Sequence, residues 1–235
     1  MARRDAYIML MTSLPHHVNI LQCRQTPLSR LKLESRLQVL EEHDAEQLGL
    51  VAGTVHWLAL QSLESDAKVV ALARRNLEKI EHPLLRDLVR ERLELRTAVA
   101  ALRRRHRGEP PPRPEDAWGF GRWVPHIRNN WTDPCFRLEG AFPWLPQARR
   151  LLEAGAALEL EKLLLTTLWD QLGRAAQSHY FDFIAVVVYV LRWDLIARWT
   201  SYDAQEAAAR FAGLIEDGLG EGLGEGLGDH EQLLV

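Results

Sequence analysis

The chain contains few of the residues on which disulfide frameworks and metal sites depend. Cys23 and Cys135 are the only cysteines among its 235 residues. Two cysteines do not form a zinc-site spacing or a disulfide scaffold, and a reducing cytoplasm is the default expectation. The motifs GxxxxGK[ST], HExxH and GxSxG are also absent from the sequence. No motif therefore predicts a cofactor, a metal or a catalytic centre.

Two weaker arrangements compete with ordinary structural roles. His16, His17 and Cys23 lie close in sequence, but three loop residues without a fourth ligand fit surface histidines better than a metal site. Cys135 lies near a histidine and an aspartate, yet nothing supplies a fixed base or an oxyanion hole. We therefore expect no enzymatic activity, and a small hydrolase or redox enzyme is the least supported hypothesis.

Long apolar runs are lacking as well. The longest, in HYFDFIAVVVYVLRWDLIARW, covers residues 183–191, whereas a membrane-spanning helix needs about 20 apolar residues. A buried strand would fit IAVVVYVL, but the apolar pattern continues past Arg192 at helical spacing, and no similar strand is available as a partner. With Asp182 as N-cap and an Asp194–Arg198 pair, we predict a helix of about five turns.

Proline and glycine are concentrated in segments that divide the chain. The proline-rich stretch GEPPPRPEDA, residues 108–117, predicts a linker between an N-terminal helical part, 1–107, and a tryptophan-rich C-terminal helical part, 118–216. The glycine-rich repeat in 217–235 predicts a flexible acidic tail. The expected fold is all-α, a soluble multi-helix bundle with room for two helical subdomains. Residues 6–14 fit either a short strand or a helix.

Capping residues and a proline mark helices in the N-terminal part. Thr26 followed by Pro27 predicts a helix start. Ser65 or Asp66 can cap a later helix, which His82-Pro83 interrupts. The next helix, 83–107, carries a coiled-coil-like seam that contains one arginine: Leu85, Leu88, Arg92, Leu95, Val99 and Leu102. We therefore predict an αα-hairpin over 65–107.

Charge of either sign has little excess overall but is unevenly distributed. The chain has 29 Lys and Arg against 32 Asp and Glu. Residues 74–113 contain twelve basic and six acidic side chains, whereas residues 216–235 contain six acidic and no basic ones. A basic hairpin and an acidic tail fit either docking surfaces or solvated faces.

Tryptophan and arginine suggest a surface for a protein partner. Four of the eight tryptophans lie between residues 118 and 144, interleaved with prolines, a pattern that favours core packing or a protein contact over base stacking. Trp and Arg are enriched at binding hot spots, and arginines flank the tryptophans of the last helix. The candidate partner-binding residues are Arg103, Arg104, Arg105, Arg128, Trp131, Trp144, Arg192, Trp193 and Arg198.

Three segments carry a resemblance to a known family: YIMLMTSLP, the block RNNW.DPCFRLEGAFPWLPQARRLLEAG, and HYFDFIAVVVYVLRWDLIARW. Over about residues 6–216 the chain resembles a bacterial family of domains of unknown function that are encoded beside V-type ATPase subunits. The resemblance implies a C-subunit-like stalk adaptor between central stalk and membrane ring. Well-known adaptors of that type are longer, with three similar helical domains, so this chain departs from them in size.

The resemblance also implies the partners and the place of the protein. It implies contacts with other V-type ATPase subunits, no small-molecule substrate, and a peripheral position on the cytoplasmic face of the membrane through those subunits. The alternative is a nucleic-acid-binding regulator that uses the basic helix 83–107. A net charge of −3 argues against a protein that relies mainly on nucleic acid.

Overall fold

The computed structural model describes residues 3–56 and 65–201, and every regular element in these ranges is helical. The elements are α1 Arg3–Ser13, a 3-10 turn Ile20–Gln22, α2 Arg30–Leu37, α3 Glu42–Val55, α4 Asp66–Lys79, α5 Pro83–His106, α6 Trp123–Asn129, α7 Leu145–Glu153, α8 Ala157–Ala175 and α9 at 183–201. The predicted all-α class is confirmed. The end of the predicted C-terminal helical part, 202–216, and the predicted tail at 217–235 lie outside the described residues.

The N-terminal segment 6–14, which fitted a strand or a helix, is helical in α1 as far as Ser13, and Leu14 follows directly after the helix. Tyr7, Leu10 and Leu14 are all buried, and their spacing of three and four residues places them on one helical face. This face packs in a small apolar cluster with Val186 and Tyr189 of α9. The segment is therefore held by the C-terminal helix.

Helix α2 begins later than the sequence suggested. The predicted cap was Thr26, but the first helical residue is Arg30, and the Ser29 Oγ accepts the Lys32 backbone N–H at 3.4 Å. Serine is as good an N-cap as threonine, so the local pattern allowed either start. The Leu28 carbonyl outside the helix accepts a hydrogen bond from Trp193 Nε1 at 2.9 Å, which is a tertiary contact.

Helices α4 and α5 correspond to the two predicted hairpin helices. Ser65 caps α4, since its Oγ accepts the Lys68 N–H at 3.4 Å. The chain is extended at His82, and α5 starts with Pro83 in its first turn, as proline sterics require. Both helices contact α3 and each other. Helix α5 has 24 residues and is the main element of the candidate site.

Helix α9 contains the long apolar run. Asp182 caps it, with its Oδ1 accepting the Ala185 N–H at 3.0 Å. Every residue from Ile184 to Leu191 is buried, and beyond Arg192 buried and half-buried positions alternate. The predicted central helix, surrounded at its start and one-sided at its end, is confirmed. Among the described residues, no helix is both long and apolar enough to cross a bilayer.

One large apolar cluster runs through most of the described structure. It takes nearly inaccessible side chains from α3, α5, α8, α9 and the tryptophan-rich segment, among them Val51, Leu93, Phe136, Leu165 and Ile196. Elements on both sides of the predicted linker, 108–117, therefore contribute to a single core. The division of the chain into separate folding units stays a prediction.

Candidate binding groove on helix α5

Three arginines of α5 and the arginine that caps its C-terminal end lie on one side of the helix. Arg92, Arg96, Arg103 and Arg107 are four, seven and four residues apart, so their Cα–Cβ bonds point to the same side of the helix. This face lines a cavity of about 340 Å³ together with residues of α8 and α9. We call this cavity the arginine groove. Its cationic lining consists of Arg92, Arg96, Arg103, Arg104, Arg107 and Arg198.

The arginine groove also has an apolar lining, on α5 itself and on the facing helices. Asp66, at the start of α4, is the only carboxylate among the described residues that line it. The apolar lining comes from α3, α5 and α8: Val55, Leu93, Leu95, Val99, Ala100, Leu164, Leu165 and Leu168. Because an apolar wall lowers the local dielectric, the charges in the groove act more strongly than charges on an open surface.

Half of the arginines in the groove are paired. The Arg104 Nε lies 3.3 Å from Glu109 Oε2, and an Arg107 nitrogen lies 2.6 Å from Glu109 Oε1. Arg198 forms a two-pronged ion pair with Glu161 of α8, with N···O distances of 2.6 and 2.8 Å. These contacts neutralise part of the charge and fix the side chains in place.

The other three arginines, Arg92, Arg96 and Arg103, make no hydrogen bond or ion pair within the part of the chain that the structure describes. Burial, and next the charge of Arg198, lower the pKa of Arg92 to about 9, against the opposing charges of Asp194 and Glu161. Burial likewise lowers the pKa of Arg96, against the opposing effect of Asp66. Both guanidiniums stay charged at neutral pH, so the groove has an excess of positive charge that attracts anions.

The predicted partner-binding tryptophans differ in burial, and each makes contacts within the fold. Trp131 is buried, and its Nε1 donates to the Glu109 carbonyl at 3.1 Å. Trp193 is also buried, and its Nε1 donates to the Leu28 carbonyl. Trp144 is half-buried, with its ring 5.6 Å from that of Phe142. Little indole surface of Trp131 or Trp193 is therefore accessible to a partner.

The predicted partner-binding arginines on α5 and α6 differ in their surroundings. Arg105 holds the tryptophan-rich segment against α5, since its guanidinium donates to the carbonyls of Pro134 at 3.0 Å and Thr132 at 3.3 Å. Arg104 lies 5.8 Å from the Trp118 ring centroid. Arg128 is half-buried on α6, and Arg103 is exposed at the groove. Of this group, Arg103 is the most accessible to a ligand.

The predicted arginines of α9 contact other helices. The guanidinium carbon of Arg192 lies 4.6 Å from the centroid of the Trp169 ring of α8. Burial lowers the pKa of Arg192. Arg198, expected to pair with Asp194 along the helix, instead pairs with Glu161 of α8. Thus the two arginines connect α9 to α8.

The side chains considered as weaker candidates for catalysis or metal binding make structural contacts. Burial, and next the charge of Glu139, raise the pKa of the Cys135 thiol, which disfavours the reactive thiolate. Asp133 accepts the backbone N–H groups of Cys135 and Arg137, which lower its pKa. Cys23 Sγ donates to the Asn19 carbonyl at 3.4 Å. Within 3–56 and 65–201, no three His, Cys, Asp or Glu residues are grouped as a metal site requires.

The spacing of arginines in the sequence indicates the groove, but the predicted binding residues do not include all of these arginines. Arg92 stands out only as a lone arginine within an apolar seam, and Arg96 and Arg107 are absent from the predicted binding residues. Their spacing with Arg103 defines one helical face. The apolar residues between them on that face, Val99 and Leu95, are the ones that form the wall beside the charges.

Comparisons with known proteins give no relative for this chain. No family model, no curated protein and no solved structure matches it. The resemblance of the three sequence segments therefore has no independent support, and the function has to be argued from the groove and the helical framework.

Proposed function

We propose that the chain is a non-catalytic, C-subunit-like adaptor in a V-type rotary ATPase, where it couples the central stalk to the membrane ring on the cytoplasmic face. The observation that carries the proposal is the excess of arginine charge on one face and end of α5. An acidic surface of a partner protein is the complement of such a face. The resemblance of the three sequence segments is the reason for choosing a V-type ATPase as the complex.

The packing suits a part that transmits torque. Helix α9 is enclosed by the other helices along its first turns, and α8 and α9 are joined by the Arg198–Glu161 ion pair and the Arg192–Trp169 contact. Buried, interlocked side chains deform little under load. In this role the protein associates with the membrane through the other subunits of the complex.

Affinity purification of the tagged chain from host membranes at low salt tests the proposal. We expect mass spectrometry to identify catalytic, stalk and ring subunits of a rotary ATPase. Arg103→Glu, on the exposed rim of the groove, should lower their recovery. Arg90→Glu is the matched control, because Arg90 lies on the opposite face of α5. Purification that recovers no component of such an ATPase would refute the adaptor role.

The nucleic-acid alternative has weaker support from the packing. Single-strand binding relies on accessible aromatic rings beside basic side chains, yet Trp118 and Trp131 are buried next to the basic end of α5. If the alternative holds, affinity for DNA or RNA falls steeply with salt, which a titration at two salt concentrations measures.

A further inference from the structure

Arg92 and Arg96 are half-buried cations that form no hydrogen bond or ion pair with a described residue. The charges of Asp194 and Glu161 act on Arg92 and that of Asp66 acts on Arg96, but burial outweighs them and lowers the pKa of both guanidiniums. A guanidinium removed from water loses hydration, and proteins normally compensate with a carboxylate or a set of hydrogen bonds. Arg92 occupies a position in the apolar seam of α5, next to Leu93 and Leu95 in the same lining. Leucine or methionine there would avoid the cost. A ligand that binds these guanidinium groups would offset the free-energy cost of burying them, which accounts for arginine at these positions.

The chemistry of the lining selects the kind of ligand. Guanidinium groups bind phosphate through parallel N–H···O bonds, and several of them together favour a multiply charged anion over a single carboxylate. Arg92, Arg96 and Arg103 have all their side-chain donors free of described acceptors. The already paired Arg104, Arg107 and Arg198 form the edge of the same cavity.

The volume of the groove and its apolar lining indicate the size and the chemical class of the ligand. A cavity of about 340 Å³ is at the lower end of the range for small-molecule sites, roughly 300–1,000 Å³. The apolar side chains of the lining, Val99 beside the arginines on α5 and Leu164 and Leu168 on α8, can cover an uncharged part of a ligand.

We infer that the arginine groove binds a phosphorylated small molecule, with its phosphate groups held by Arg92, Arg96 and Arg103. The uncharged part of the ligand lies against the α8 wall. The site shares Arg103 with the face proposed for the partner protein. Ligand binding is measured on the isolated chain, so failure of this inference is distinguishable from failure of the adaptor role. In an assembled complex, the ligand would occupy a cavity beside the Arg103 rim.

Isothermal titration calorimetry of the full-length chain with inorganic pyrophosphate tests the inference. At constant ionic strength we expect saturable binding with one site per chain. Arg96→Gln and Arg92→Gln should each weaken binding about tenfold or more, since each removes charge-assisted hydrogen bonds. Arg90→Gln, on the opposite face of α5, should stay within about twofold of the unmodified chain.

Two results would overturn the inference. The first is no saturable binding of pyrophosphate by the full-length chain, whatever occupies the groove. The second is equal weakening in Arg90→Gln and Arg96→Gln, or equal binding of sulfate, because either indicates attraction by overall charge and not by a site. Circular dichroism and thermal unfolding of each variant identify those that fail to fold, and Arg103→Gln, at an exposed position, then replaces them.

Discussion

At the scale of single residues, His17 has a surrounding that stabilises its neutral form. Its ring stacks on Tyr189 at 4.0 Å and meets Trp169 edge-on at 6.0 Å. The Nε2 is buried and has no hydrogen-bond partner among the described residues. Burial first, then the positive charges of Arg192 and His16, lower the pKa of His17 to about 4. The folded protein therefore resists protonation of this side chain.

We predict that His17 makes the fold sensitive to acid. Its folded pKa of about 4 lies below its ordinary value of 6.5, so the unfolded chain binds the proton first and stability falls as pH drops from about 6.5 to 4. At pH 5 the loss from this residue is on the order of 2 kcal/mol. Urea unfolding at pH 7 and pH 5 measures it.

His17→Phe should remove that part of the pH dependence, because phenylalanine cannot bind a proton. His82→Gln, at an exposed histidine outside the core, is the control and should leave the pH dependence unchanged. An equal loss of stability between the two pH values in His17→Phe and the unmodified chain would contradict the prediction.

Ion pairs at this scale were only partly predictable. The spacing of Asp194 and Arg198 predicted a pair along α9. In the structure Arg198 pairs with Glu161 of α8, and Asp194 lies 3.4 Å from His56 Nε2. The reason is geometric. A carboxylate that faces Arg198 from another helix accepts hydrogen bonds from two guanidinium nitrogens, whereas a partner in the same helix is reached only when the side chain bends. A sequence shows only the partner within the helix.

At the scale of elements, the chain between α5 and α6 passes very close to α5. Gly121 has φ +99°, and an added Cβ would lie 2.4 Å from Glu94 Cγ. Glu94 is buried, and its Oε1 accepts the Arg122 backbone N–H at 3.2 Å. Glycine is therefore required here by both the backbone conformation and the close approach.

We predict that Gly121→Ala destabilises the protein by about 2 kcal/mol or more, because it adds backbone strain and displaces Glu94 from its hydrogen bond. Gly140→Ala is the matched control: Gly140 has no positive φ, and its added Cβ would meet no atom within 4 Å. Thermal unfolding of both variants measures the difference. Similar stabilities of the two would show that Glu94 and the backbone adjust freely.

The contact between α9 and the chain before α2 gives a second prediction at this scale. Trp193→Phe leaves the buried Leu28 carbonyl without its donor, at a cost of about 1–3 kcal/mol beyond the loss of ring volume. Trp199→Phe measures the volume effect alone, because Trp199 is equally buried and donates no hydrogen bond to a described residue. Denaturant unfolding should show Trp193→Phe to be less stable than Trp199→Phe.

Most element boundaries followed from local patterns. The start of α5 at Pro83 and the Asp182 cap of α9 were predicted, because proline sterics and capping act within a few residues. The start of α2 was not, since Thr26 and Ser29 are equivalent caps to a local rule. The sequence of helix α1 fitted both a strand and a helix. In the structure it is a helix, and its apolar face is buried against α9.

At the scale of the whole molecule, the shared core predicts cooperative unfolding. Phe136 from the tryptophan-rich segment and Leu93 from α5 are buried in the same cluster. Unfolding of the residues on one side of segment 108–117 would expose the core side chains of the other part to water. The two parts should therefore unfold together. Tryptophan fluorescence and far-ultraviolet circular dichroism should give coincident denaturant transitions. Two separate transitions would support the predicted division at 108–117.

The helical class, the absence of a membrane-length helix in the described ranges, and most caps follow from the order of residues, because periodicity and capping are short-range properties. The arginine groove and the buried tryptophans depend on packing. The Trp193–Leu28 hydrogen bond joins positions 165 residues apart, and Arg198 meets Glu161 across two helices. Which arginines form no ion pair with a described carboxylate is set by how α5, α8 and α9 pack, since pairing requires atoms to come within a few ångströms.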